Sequence, residues 1–249
     1  VSAKANAGSI RGTSLGTANR AARVAGLLYL AHFVAFFIAD NGVHYTAVGP
    51  MTATTANQIM TSEWLFRIGF VSFLLAALFF LSAAWALYVL LESVDKNLAL
   101  LFLLLNLAGV VLQCASLSSE FGAYLILSGA DYLKAFPAEA SQALAMLFLS
   151  MYKNGFMGAQ IFLALWVLPL GYLVIRSGYL PKLLGAFLVV DCLVLLIWVF
   201  QFFLVYPENE AVSGICLAIS FIAEASLCVW LLIKGVNVQK WEKHALEVA

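Results

Sequence analysis

Long unbroken runs of apolar residues, separated by short polar breaks, dominate the chain. Six of them are long enough to cross a bilayer, because a helix rises about 1.5 Å per residue and the hydrocarbon layer is about 30 Å thick. They are predicted at residues 22–39, 64–91, 98–117 (with a continuation toward 127), 155–175, 183–206 and 212–233. None shows the apolar–polar alternation of a barrel strand, and all are too long to be one. The predicted fold class is therefore all-α: a polytopic integral membrane protein, a six-transmembrane-helix bundle with short loops. Residues 1–19 are expected to form a disordered cytoplasmic tail, 20–238 the membrane domain, and 239–249 a cytoplasmic C-terminal tail.

Two segments fall outside these runs. Residues 52–64 read as a short external helix. Residues 136–152 open on Pro137 and Glu139, a good helix start, and either lie in the interface or run straight into the fourth span. The stretch KNGFMG at 153–158 and Pro169 suggest a break or kink there. Gly155 and Gly158 are expected to let a neighbouring helix come close.

Composition changes the picture only by confirming the solvent. The chain has 249 residues, 64% hydrophobic and 10% charged, with mean hydropathy +0.98. A soluble domain carries about a quarter charged residues, so lipid must surround much of this one. Net charge is zero, which gives nucleic acid nothing to bind. The four cysteines all lie within apolar runs at no metal-ligand spacing and read as small hydrophobes. The first run follows a basic stretch, but FFIADNG is a poor signal-peptidase site, so a retained first helix is expected.

The charges are distributed unevenly. With six spans, Lys4, Arg11, Arg20, Arg23, Lys96, Arg176, Lys182, Lys234, Lys240 and Lys243 share one side, against Arg67, Lys134 and Lys153 on the other. This bias predicts both termini in the cytoplasm.

Candidate chemistry lies in the ionisable residues within the runs. Glu224 is ten residues from Lys234, Asp191 nine from Lys182, and His32 nine from Arg23. Each count gives a depth of about 13–15 Å, near the midplane. An acid there costs about 2.5–3.5 kcal/mol against lipid, so the three are expected to turn inward and meet. A second layer, Arg67, Glu120 and Lys153, sits roughly 35 Å up at the outer interface, with Gln113 and Gln160 between the layers. Arg67 and Lys153 have Glu120, Asp40 and Glu63 as possible partners.

A buried polar cluster can merely fix helix register, each contact contributing about 0.6 kcal/mol. If His32, Asp191 and Glu224 do more, proton relay or cation binding suits them. A metal site is not expected without a paired-ligand spacing, no cofactor is expected, and no catalytic motif occurs in a usable context. The reading leans away from an enzyme. Its lead is a non-enzymatic accessory or assembly subunit, with the bilayer and another membrane protein, or a second copy, as partner. The alternative is a small proton- or cation-linked transporter or channel built on the midplane trio.

The strings ARVAGLLYL (22–30), LFRIGF (65–70), LSGADYLKAF (127–136), LGYLVIRSGYLPKLLG (170–185) and LCVWLLIKGVNV (227–238) together resemble the bacterial membrane family known as domain of unknown function 4386. The resemblance implies a multi-pass protein of a bacterial inner membrane and carries over no activity and no site residue. Within those strings, Arg176-Ser177-Gly178 reads as a helix end, with Pro181 opening the next helix.

Overall fold

The computed structural model describes residues 2–43, 63–129, 137–205 and 209–241. The external helix expected at 52–64 lies almost wholly outside them, as does most of the C-terminal tail. Among the described residues there are six helices: α1 (Ser2–Val43), α2 (Glu63–Leu91), α3 (Lys96–Leu127), α4 (Ala138–Ser177), α5 (Lys182–Leu204) and α6 (Glu210–Ile233). Each contains a stretch long and apolar enough to cross a membrane; in α1 it is Ala18–Asp40. The protein is a multi-pass membrane protein. The backbone of α1 is already helical from Ser2, inside the stretch read as a tail.

The helices pack in chain order, and α6 returns against α1 to close a ring. Trp166 on α4 is the hub at its centre. Its ring meets Phe80 of α2 edge-on at 5.0 Å, Phe102 of α3 at 6.2 Å and Tyr29 of α1 at 6.5 Å. Lipid is as apolar as leucine, so association in a membrane depends on such close packing rather than on escape from water.

Local chemistry sets the helix ends. The Asp95 carboxylate accepts from the Asn97 and Leu98 amides, both at 3.1 Å, and starts α3; Asn209 does the same for α6. Such caps satisfy amides that the first turn leaves unpaired. The α4 terminus follows the sequence expectation: Arg176 in the last turn, Gly178 left-handed at φ 67°, then Pro181 ahead of α5.

Of the two courses open to residues 136–152, the chain takes the second and runs straight into the fourth span. Residues 138–177 form one continuous helix, about 60 Å long and about twice the hydrocarbon thickness. The anticipated break at 153–158 does not occur, because a glycine weakens a helix by only about 1 kcal/mol against alanine. Gly155 does admit a neighbour: a Cβ there would stand 2.8 Å from Ser116 Cβ of α3. Gly158 faces nothing within 4 Å, so the close approach expected of it is absent. The closest approach of a glycine to another helix's backbone is between α4 and α5, where a Cβ on Gly185 would lie 2.5 Å from the Gly171 carbonyl oxygen.

A clasp closes the end of the bundle that carries Lys96, Arg176, Lys182 and Lys234, here called the basic end. The Leu90 carbonyl belongs to the last turn of α2, where carbonyls lack a helical partner. It accepts from the Tyr179 hydroxyl at 2.7 Å and the Trp241 indole N–H at 3.2 Å. The Asn237 amide donates to the Tyr179 carbonyl, and Val236 donates to Asn19 of α1.

Two predictions follow from this packing. Gly185→Ala lowers stability by about 1–3 kcal/mol through overpacking. Gly158→Ala leaves it unchanged or raises it by up to about 1 kcal/mol, as thermal unfolding in detergent would read. Burial pushes the pKa of Tyr179 above the ordinary phenol value. The stabilisation is therefore complete below about pH 10, where the unfolded phenol ionises, and falls away as pH rises beyond it. Melting temperature should drop more steeply above about pH 10 in the native protein than in Tyr179→Phe.

Candidate functional site

At mid-depth, α1, α5 and α6 bring three oxygen-bearing side chains together. Asp191 lies on the buried face of α5 with no exposed surface. Glu224 of α6, partly buried, is within electrostatic reach of it. Tyr29 of α1, also without exposed surface, donates its hydroxyl proton to Glu224 Oε2. Ser220, one helical turn before Glu224, is close enough to act on the Asp191 carboxyl. Its geometry is not that of an ordinary hydrogen bond, and both Asp191 oxygens are left without a partner among the described residues. An unpaired buried polar atom costs about 1–3 kcal/mol, more when charged.

The arrangement can do something specific. Two carboxyls lie within electrostatic reach of each other in a low-dielectric core, and among the described residues no cation neighbours them. They cannot both remain ionised without a positive charge to share. Helices α5 and α6 run unbroken past both acids, so no backbone carbonyl is freed there of the kind that unwound transporter helices offer to sodium. Among the described residues no three His, Cys, Asp or Glu side chains gather as a metal site. A proton is the charge this donor set fits best.

His32 faces elsewhere. Tyr29 and His32 are three residues apart, which turns their side chains about 60° from one another around α1. Tyr29 points to α6, whereas the His32 ring packs on α2, 4.3 Å from Phe80 in a stacked pair, with Nδ1 3.0 Å from the Ala76 carbonyl oxygen. With Nδ1–H donating to that carbonyl, the imidazole has a complete local environment. Depth counting placed the histidine at the right level but could not fix its azimuth. The side chain that reaches the acids is Tyr29, and its signal in the sequence is a tyrosine inside a span, away from the interfacial belt.

The outer layer divides in two. Arg67 pairs with Glu63 at 2.8 Å, both half-exposed, and donates to the Tyr124 hydroxyl at 2.9 Å; Tyr124 in turn donates to Glu63 at 2.6 Å. Of the partners open to Arg67, the structure uses the one a helical turn away. Lys153 lies over the Phe202 ring at 5.1 Å. Glu120 is buried instead, at 1% exposure, with Oε1 unpartnered. The Tyr152 hydroxyl, equally buried and unpartnered, lies within its field and that of Asp40. Gln113 and Gln160 are buried on α3 and α4. Asn106, fully buried with both amide atoms unpartnered, was not singled out by its sequence. Its signal is the spacing of Asn106, Gln113 and Glu120 at seven-residue intervals.

A family profile described as "Domain of unknown function (DUF4386)" matches residues 24–235. No curated protein and no solved structure matches the chain.

Removing the Tyr29 hydroxyl strips Glu224 of its one hydrogen-bonded neighbour among the described residues. Tyr29→Phe is expected to lower stability by about 1–3 kcal/mol, whereas His32→Phe, which keeps the ring stack, costs less. Thermal melts of both variants in one detergent check the order.

Proposed function

Because the chain belongs to the DUF4386 family, whose description names no activity, its function has to be read from its site, and we propose that it is a proton-linked membrane transporter in which Asp191 and Glu224 take up and release a proton at mid-membrane. The observation that carries this reading is the meeting of two acids from different helices, one with both oxygens unpartnered, with no cation beside them among the described residues. Structural polar contacts in bundles pair a donor with an acceptor; two buried acids within each other's field and with no cation require a proton on at least one of them. Tyr29 holds Glu224 in place and its hydroxyl can pass a proton along. Intramembrane acids of this kind recur in the relays of pumps and transporters.

By the positive-inside bias the basic end faces the cytoplasm, so the pair exchanges protons between that face and the outer half of the bundle. The short connections at 92–95 and 178–181 also suit an accessory subunit that docks through its lipid-facing surface. A subunit would co-purify with a stoichiometric membrane partner, and its acids would be silent in the test that follows.

Charge displacement on a solid-supported membrane tests the transporter reading without knowledge of the substrate. A pH jump across reconstituted native protein should give a transient current, because a proton reaches mid-membrane. Glu224→Gln and Asp191→Asn should abolish most of it, and Glu63→Gln should leave it intact. Equal transients from native and Glu224→Gln protein would contradict the reading.

A further inference from the structure

The buried face of α3 carries a second set of polar groups that the acid pair does not use. Asn106, Gln113 and Glu120 recur at intervals of seven, a spacing that drifts only about 20° around a helix per repeat and so stays on one face. All three are buried, at 0%, 7% and 1% exposure. That face packs on α4, where Gly109 of α3 comes against Leu163 and Gly155 of α4 comes against Ser116. Tyr152 and Gln160 face inward on α4 within the same interval, also buried.

Polar atoms in this seam lack partners. Both amide atoms of Asn106, Oε1 of Glu120 and the hydroxyl of Tyr152 make no hydrogen bond with the described protein. The orphaned atoms include donors and acceptors, on two helices, at both ends of one line. Chance mispairing of four such atoms would cost about 1–3 kcal/mol each, an unreasonable burden for a bundle held together by packing alone. Groups of this kind are normally satisfied by ordered water, each molecule making about three hydrogen bonds.

We propose that the α3–α4 seam binds a single file of water, anchored by Glu120 and Tyr152 at one end and by Asn106 at the other. Consecutive polar residues are about 10 Å apart along α3, a gap that three waters bridge. At Gly109 and Gly155 the two helices come into close contact within the same interval. Asn106 lies ten residues from Lys96, about 15 Å deep, which is the level of Asp191 and Glu224. Glu120, fourteen residues further, lies about 36 Å from the same edge, near the opposite interface. The file therefore reaches from that interface to mid-depth. The ionisable groups facing it are Glu120 and Tyr152, with Asp40 of α1 acting on Tyr152. Hydration of the seam does not depend on whether the acid pair moves a proton.

X-ray radiolytic footprinting of the intact native protein in lipid nanodiscs tests this directly, because hydroxyl radicals formed from bound water label the side chains beside it. Tyr152 should be oxidised several-fold faster than Trp166, which is equally buried but sits in the apolar hub and is intrinsically the more reactive ring. Glu120→Leu should reduce Tyr152 labelling toward the Trp166 level, and Glu120→Gln should preserve it. Tyr152 as protected as Trp166 in the native protein would overturn the proposal, as would labelling that Glu120→Leu leaves unchanged in a folded sample. The readout is water and not charge movement, so a failure here is distinguishable from a failure of the transporter reading.

Discussion

A carboxyl group in hydrocarbon has no water to turn to, and that constraint organises this bundle. Each acid buried in the membrane must find its hydrogen bonds and its compensating charge among the other helices. Glu224 finds Tyr29 on the adjoining helix α1. Asp191, on α5 at the other side of α6, has Glu224 in its field and no ordinary hydrogen bond of its own. The ring of helices closes through α1 and α6 at the place where these groups meet, so closure of the ring and placement of the acids are one event. The rest of the packing supports it: Gly171 against Gly185 sets how near α5 comes to α4, and Trp166 fills the centre.

Much of this was legible in the amino-acid order. Six apolar runs became six helices, since length against bilayer thickness is a one-dimensional property that a sequence displays directly. Depth is equally one-dimensional, and counting from Lys182 and Lys234 set Asp191 and Glu224 at one level. Azimuth is not. Whether His32 or Tyr29 faces α6 depends on how α1 rolls against α2, and the Ala76–Phe80 surface of α2 decided that by accepting the imidazole. The same limit applied to Arg67, whose partner turned out to be on its own helix. The continuity of α4 stays open between two readings of the sequence for another reason. Gly155 and Gly158 look like breakers in sequence, but packing against α3 compensates the propensity lost at the first of them.

The two buried polar systems divide the bundle by chemistry. Around Asp191 and Glu224 the groups are acids steadied by a phenol, suited to exchanging a charge. Along α3 they are an amide, a second amide and an acid at heptad spacing, suited to holding water. The seam ends at the depth where the acid pair begins. At the basic end, by contrast, Tyr179 and Trp241 converge on one carbonyl of α2.

The central claim is that Asp191 and Glu224 act on one another, and a double-mutant cycle tests it most directly. Unfolding free energies of the native protein, Asp191→Asn, Glu224→Gln and the double variant would be compared in one detergent. Neighbouring groups that share a charge should give a coupling of about 0.5–3 kcal/mol, with the double variant far from the sum of the singles. Additivity within about 0.5 kcal/mol would mean that the two acids are independent, and would contradict the account.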